Sequence, residues 1–541
     1  MREPPLARVA PFPRPLRRRD ALLLPALALA APAVAQDMRA RTLRFVPSTD
    51  LVSLDPVIST ALVAVQHGFH VFDTLYGVDG QMRAQPQMAE GHSVSADGLV
   101  WTIRLREGLR FHDGEPVRSR DCAASLQRWS RRDSFGRVYA TAVEAYETPD
   151  DRNLVIRLKR PFPRLLDAIA KPHSQPAFIM PERILRAAAD SPITEVVGSG
   201  PYRFLREEWS SGHLVAYGRF DGYRPRAEAP EWTSGGKVAH FERVEWRVIA
   251  DKSTAVSALM QGEVDWMETI PADLQPLAAR NRRIRMQNAD PLGSVVVMRF
   301  NHLAAPFNHP ALRRFVLEVA RQADYLATVA AGDAEAMRPC AAMFPCTIPG
   351  VEEIGSGQFG RLAAGGPAMA EALRATGYAG EKVVILNPAD NATLAPLGSI
   401  TAELLKRAGL NVELLDMDFG TLLQRRNNRG PVERGGWSIF VTTWPSIAIA
   451  NPVLNTTIRG EGATGWPGWF ESAEMEQLTQ DWLASTDAAA QARLQGAIHA
   501  LALREVPTLP LGIYFPKTAY RAELSGVLGG SVRYPWNVRR G

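Results

Sequence analysis

The hydrophobic positions change period along the chain, and the changes mark its elements. Val100, Thr102, Arg104 and Leu105 fall in a loosely alternating run between Ala96-Asp97-Gly98 and Glu107-Gly108, which predicts a strand entered through a hairpin turn. A second turn stands at His112-Asp113-Gly114, where glycine admits the positive φ of a tight turn. From Ser119 the period becomes helical. Ser119 offers an N-cap oxygen, Asp121 lies in the first turn, and Cys122, Leu126 and Trp129 share a face. The stretch from Ala89 to Arg128 therefore reads as scaffold, since none of its residues can do chemistry alone.

The same reading orders the rest of the chain. Leu43 to Val46 is a short strand and Ala61 to Leu75 a helix; Leu154 to Lys159 adds a strand pair, and Pro163 to Ala170 is helical. Arg203 to Trp246 is strand-like, and Lys252 to Asp265 is an amphipathic helix with Ala255, Ala258, Leu259 and Gly262 on one face. Val295 to Asn301 is a strand that runs into a helix with Pro310 at N1 and Leu312, Phe315, Val316, Val319 and Ala320 along its apolar side. Residues 350–368 are rich in Gly and Pro and form a loop. Lys382–Asn387, Ala392–Ala408 and Val412–Leu415 give a β-α-β order, hence a right-handed crossover and a parallel pair. Trp437 to Trp444 is an aromatic strand, Glu474 to Leu503 is helical, and Leu511 to Asn537 is an aromatic-rich last strand and tail. There is no internal repeat. At 541 residues, with about 150 per domain, the chain has room for three or four structural units of α/β class.

Composition changes this picture in one place. Hydrophobic residues make up 46% and charged residues 22%, as in soluble globular proteins, and the net charge is +5. Six arginines against Glu3 and Asp20 in the first 35 residues carry most of that excess, so the remainder is nearly neutral and has no footprint for nucleic acid. Arg17-Arg18-Arg19 precede an apolar run, Ala21 to Ala35, and Ala33-Val34-Ala35 fits small-residue cleavage before Gln36. Residues 1–35 are therefore expected to be an export signal, using the twin-arginine or the general secretory route. No other run approaches the ~18 apolar residues of a membrane span. In an exported chain, Cys340 and Cys346 around the loop CAAMFPC are expected to form a disulfide, worth about 2 kcal/mol for so small a ring. Cys122 reads as a buried, inert thiol.

Few residue patterns carry chemistry. Gly355 to Gly360 spells G-x-G-x-x-G, but Pro349-Gly350 before it is loop, whereas a dinucleotide site needs a preceding strand and a following helix. H-E-x-x-H, G-x-S-x-G and G-x-x-x-x-G-K-[ST] are all missing. His67 and His70, three apart on a helix, could present one face to a metal, but without a third ligand in register they read as a partly exposed helix face. The tryptophans are more informative. Trp437, Trp444, Trp466, Trp469 and Trp482 are five of the chain's 12. Aromatic walls bury large areas with few rotors, so strand-end and loop positions favour a binding cleft for Trp444 and for Trp466-Pro467-Gly468-Trp469, while Trp482 on a helix reads as core.

Several of these phrases resemble the family 5 bacterial extracellular solute-binding proteins, whose members deliver peptides, nickel and other solutes to ATP-driven importers. The Ala89–Arg128 run resembles the family's signature. Ser53-Leu54-Asp55-Pro56, the helix ending at Tyr76-Gly77, Val197-Gly198-Ser199-Gly200-Pro201-Tyr202 and Gly262-Glu263-Val264-Asp265 are similar to further family phrases. The resemblance implies a periplasmic binding protein-like α/β fold of the large three-domain type. Residues 41–77, 198–290 and 506–541 would form a first lobe, 78–197 an insertion, and 291–505 a second lobe. It further implies a monomer that closes about a hinge on a small-molecule ligand and is read by an inner-membrane permease with its ATPase. No catalytic group, cofactor or resident metal is expected. Trp437, Trp444, Ser446, Arg459, Trp466 and Trp469, with Asn301 and Ser59, are the candidate ligand contacts. In peptide-binding members a Trp-x-x-Asp phrase supplies an aspartate for the peptide amine; here it reads Trp444-Pro445-Ser446-Ile447, with no acid unless Glu461 or Asp418 reaches the spot. Ligands with a neutral or anionic end are therefore expected over free amines. The alternatives are a nickel-type metal-complex receptor of the same fold and an exported hydrolase.

Overall fold

The computed structural model describes residues 38–541 apart from 352 and 354. The export signal over residues 1–35 and its cleavage site lie outside the described residues. Three sheets carry the architecture. In the first, of seven strands, Thr42–Val46 lies at the centre, parallel to Arg243–Arg247 on one side and to Trp266–Met267 on the other. Tyr202–Phe204 and Leu214–Arg219 extend one edge, and Lys517–Arg521 and Ile284–Asn288 the other. All five residues of Thr42–Val46 are buried, as a strand covered on both faces requires. The second sheet, of six strands, runs Met337–Arg338, Thr508–Tyr514, Ser294–Phe300, Ile439–Pro445, Lys382–Pro388, Asn411–Met417. Its last two strands are parallel and joined by the helix Ala395–Arg407, the β-α-β unit read from the sequence. The third sheet, of four antiparallel strands (Ala89–Val94, Val100–Leu105, Asn153–Leu158, Val143–Glu147), is backed by the helix Ser119–Arg132. Cys122, Leu126 and Trp129 are all buried on that helix.

Two boundaries differ from the sequence reading. Thr508–Tyr514 pairs antiparallel with Ser294–Phe300, so residues 508–514 add a strand to the second sheet and do not belong with the first. A fully buried apolar run fits either sheet equally well, so its composition could not choose. Pro510 is tolerated inside the sheet because the register slips between Val295 and Val297, where Gly512 adopts φ +96°. Secondly, Ser119 does not cap its helix. Arg118 is the N-cap residue; its N–H donates to the Asp121 carboxylate at 2.8 Å, while Ser119 Oγ donates to Asp150 O at 2.5 Å.

The chain passes between the first and second sheets twice, through residues 289–293 and through Phe515–Pro516. The two crossings lie side by side, with Ala289 N donating to Pro516 O at 2.8 Å. Gly293 takes φ +69°, and a Cβ there would stand 2.7 Å from Ile513 Cγ2. The return from the third sheet is equally tight. A Cβ on Gly198 would lie 2.0 Å from Val71 O, and Gly200 N donates to that same carbonyl at 2.8 Å.

His67 and His70 are buried, not a partly exposed face. Their helix, Leu62–Val71, is covered on nearly every side. His67 Nδ1 bonds the Tyr217 hydroxyl at 2.9 Å and His70 Nδ1 bonds Gln66 O at 2.9 Å; His70 lies 4.7 Å from the Tyr217 ring and 5.0 Å from that of Trp246. Burial pushes both imidazoles down to about 3, so both are neutral near pH 7.

Candidate ligand-binding cavity

A cavity of about 780 Å³ opens between the stretch 78–172 and the second-sheet half of the chain. Each wall has a local cause. Tyr76–Val78 pairs with Ala84–Pro86, and the hairpin tip between them brings Gln81 and Met82 to the cavity. The Asp79 carboxylate fixes that tip by accepting from the N–H groups of Gln81 and Arg83, both at 2.9 Å. Across the cavity, the Cys340–Cys346 disulfide closes the loop that carries Phe344, and Ile348 follows it. Gln322 clamps that loop, accepting from Cys340 N at 2.9 Å and donating to Cys340 O at 2.6 Å, and Asn455 Nδ2 donates to Met343 O. Ile447, Asn451 and Leu454 line the turn that leaves Ile439–Pro445. The floor is the pair of helices Ala473–Ala484 and Ala488–Glu505, one predicted helix broken at Ser485–Asp487, where Asp487 caps the second.

Charges at the cavity are mostly spent on one another. Arg164 Nη1 holds the Asp167 carboxylate at 2.8 Å, its Nη2 donates to Gln491 Oε1, and its guanidinium lies 4.7 Å from the centre of the Trp482 ring. Lys171 Nζ meets Asp133 at 2.5 Å; burial pushes the lysine down and the carboxylate up, and the pair cancels. No group of three or more His, Cys, Asp or Glu among the described residues is placed to hold a metal.

None of the eight residues singled out from the sequence is in the lining of this cavity. Trp437 is 1% exposed and its Nε1 donates to Arg426 O, while Trp469 is buried against it at 6.0 Å. Both are core, because Ile439–Pro445 runs through the middle of its sheet. Asn301 donates to Trp437 O and accepts from Leu303 N, which makes it a turn clamp. Ser59 Oγ accepts from Ala61 N at the start of a helix. Arg459 is buried and held by Glu476 at 2.5 Å and Glu461 at 3.1 Å; these acids outweigh the burial that disfavours its charge, and its pKa lies above the ordinary arginine value. Glu461 is thereby engaged, and Asp418 caps the helix Phe419–Arg425, so neither acid reaches the cavity. Trp444 and Trp466 are half-buried and meet edge to face at 5.5 Å. Trp444 Nε1 and Ser446 Oγ have no partner among the described residues, and Ser446 is fully buried next to Ile447, which does face the cavity. Trp482 is core, as its helix position suggests, only 5% exposed, and one edge of it also lines the cavity.

The sequence also gave no notice of Arg299. It is buried with no carboxylate partner among the described residues, and its guanidinium donates to the carbonyls of Thr457 (2.7 Å), Pro467 (2.8 Å), Pro507 (3.0 Å) and Trp466 (3.2 Å). Burial, then nearby Arg313, pushes it down to about 9. It lies 4.9 Å from the Trp466 ring, so it is the post on which the 457–467 loop is hung. Its lone signal was an arginine among Val295, Val296, Val297, Met298 and Phe300.

Comparison with known proteins accords with this geometry. The chain is 33% identical over 523 residues, 96% of its own length and 97% of the relative's, to a probable peptide ABC transporter periplasmic-binding protein, y4tO, of Sinorhizobium fredii. Its fold is that of the periplasmic binding protein DppA from Helicobacter pylori in complex with the peptide STSA (TM-score 0.77, 19% identity, covering 94% of this chain and 99% of that one). It is equally that of AgaA from A. tumefaciens R10 in complex with agropinic acid (TM-score 0.76, 21% identity, 92% and 99%). Residues 83–463 match the profile of the bacterial extracellular solute-binding proteins, family 5, and with a relative this similar over nearly its whole length the chain belongs to that family.

Proposed function

We propose that this family 5 protein is an exported, monomeric, non-enzymatic receptor that takes a small organic solute into the 780 Å³ cavity. Ligand binding draws the two sheet-bearing halves together about the crossings at 289–293 and 515–516, and the permease and ATPase of an importer read the closed state. The observation that supports this reading is that parts of the chain meeting only in space line one cavity, while just two strands of backbone join the two large sheets. The lobes are then residues 41–77, 198–290 and 517–541 against 291–514, with 78–197 inserted. A peptide-like solute is the first class to test, after the relative y4tO. Trp444 and Trp466 are proposed as further contacts, because both are half-buried and Trp444 Nε1 has no partner among the described residues, whereas Ser446 is too buried to serve.

Native mass spectrometry of protein purified from the periplasm should show a retained organic mass. Small-angle scattering should show a smaller radius of gyration when that compound is returned to stripped protein. Protein that never carries a ligand, with an unchanged radius in the presence of the small-molecule fraction of its own periplasm, overturns the reading. Export is separable: N-terminal sequencing should begin at Gln36, and an intact Met1 on periplasmic protein would exclude cleavage.

A further inference from the structure

We infer that the cavity takes an anionic solute with an apolar body and no free amine, a class represented by N-acylated amino acids and N-blocked short peptides. This rests on the cavity being the ligand site, as proposed above. The room comes from one helix. Ala488, Gln491, Ala492, Gln495, Gly496 and His499 recur at intervals of three and one along Ala488–Glu505, which places them on one face, and all six line the cavity. Three of them have no side chain beyond a methyl group, and a Cβ on Gly496 would meet nothing within 4 Å. Opposite them stand Met82, Phe344, Ile348, Ile447 and Leu454, so the body of the ligand meets apolar surface.

Besides neutral amides such as Gln81 and Gln495, which can donate or accept, the lining carries two donors without a described protein acceptor. Trp482 Nε1 is a buried N–H without a partner among the described residues, on a side chain that lines the cavity. Arg493 lines the cavity at its exposed rim, and among the described residues no carboxylate pairs with it. Asp167 is the one carboxylate among the described lining residues, and Arg164 holds it. An ammonium group entering this space would give up water and find no free carboxylate among the described lining residues. A carboxylate would find the Arg493 guanidinium, and an acyl carbonyl would find the Trp482 N–H. Ile447 closes the wall with a hydrocarbon where an acid would be needed to reverse this preference.

The test is calorimetry with three dipeptide probes of one body and different charge: N-acetyl-Leu-Leu (anion), Leu-Leu (zwitterion) and Leu-Leu amide (cation). The acetylated anion should bind at least about tenfold more tightly than Leu-Leu, and the amide should bind weakest. Arg493→Gln should weaken the anion about fivefold, the worth of one exposed ion pair, and leave the amide no weaker. Equal binding of all three, tighter binding of either amine, or no binding of the acetylated probe at millimolar concentration each overturns the inference. Gly496→Leu separates this failure from failure of the site itself. It fills the cavity from an open position, so it should abolish the retained mass seen by native mass spectrometry whatever the ligand's class. Retention of that mass by Gly496→Leu would mean that the ligand sits elsewhere.

Discussion

The buried pair His67 and His70 makes the protein's stability depend on pH in a way that can be worked from the structure. Each has a pKa near 3 when folded, against about 6.5 in an unfolded chain. Between those values the unfolded state binds a proton that the folded state refuses, so stability is full above about pH 6.5 and falls as pH drops towards 3. At pH 5 the loss is about 2 kcal/mol per imidazole, or about 4 for the pair. One nearby group acts in the opposite sense. Asp290, at the crossing between the sheets, is pushed up to about 6 by burial, so its protonation returns about 1 kcal/mol as pH falls to 5. His70→Phe isolates one imidazole from the rest, because the ring keeps its place between Tyr217 and Trp246 and loses only the bond to Gln66 O. Urea unfolding followed by tryptophan fluorescence, at pH 7.5 and pH 5.0, should show the variant about 1 kcal/mol weaker than the parent at the higher pH. Its further loss on acidification should be about 2 kcal/mol smaller than the parent's. Identical pH dependence in the two proteins, or an imidazole of His70 titrating near 6.5 by NMR, would refute the reasoning.

Other outcomes are as direct. Asp55 of the Leu-Asp-Pro phrase accepts from Arg128 at 2.6 Å, Ile193 N at 2.9 Å and Val57 N at 3.0 Å; Asp55→Ala leaves a buried guanidinium unpaired and should cost about 3–5 kcal/mol by calorimetry, and an unchanged Tm would contradict that role. Thiol counting on denatured, unreduced protein should find one reactive thiol, Cys122; three would exclude the Cys340–Cys346 bond. Ser446 is too buried to be given a charge, so the substitution that should admit a free peptide amine is Ile447→Asp, which faces the cavity. It should improve Leu-Leu binding about tenfold, or about 1.4 kcal/mol, and no improvement would mean that the amine lies beyond reach of residue 447.

The scaffold was legible because its signals are local. The period change at Ser119, Pro310 at a helix start and the glycines that let 198–200 pass under Val71 O each constrain backbone within a few residues. The cavity was not legible, because its volume depends on what is absent. Ala488, Ala492 and Gly496 look like ordinary helix filler until Met82 and Phe344 arrive from far away in the sequence. The tryptophan cluster misled for a related reason. Large aromatic side chains at strand ends suit a cleft wall, but Trp437 and Trp469 instead fill the layer beneath the sheet, while the helical Trp482, core as expected, is the tryptophan that also lines the cavity.

The hydrogen bonds that tie the insertion to its neighbours indicate which way the proposed closure moves. Arg128 on the insertion's helix and Asp55 beside the first sheet form a pair only 4% and 1% exposed, at 2.6 Å, and parting them would strand two charges. The ties from the insertion to the second-sheet half are weaker. Arg137 stands 3.7 Å from Glu461, with side chains 41% and 13% exposed, and Arg164 shares its guanidinium among Asp167, Gln491 and the face of Trp482. Exposed pairs of this kind are worth about 0–1 kcal/mol and re-form in water on either side of a gap. In the proposed closure the insertion would therefore travel with the first sheet, and opening about the 289–293 and 515–516 crossings would part it from the second-sheet half. That boundary runs through the cavity, so the one proposed motion would be both the entry route for the solute and the change in shape that an importer could read.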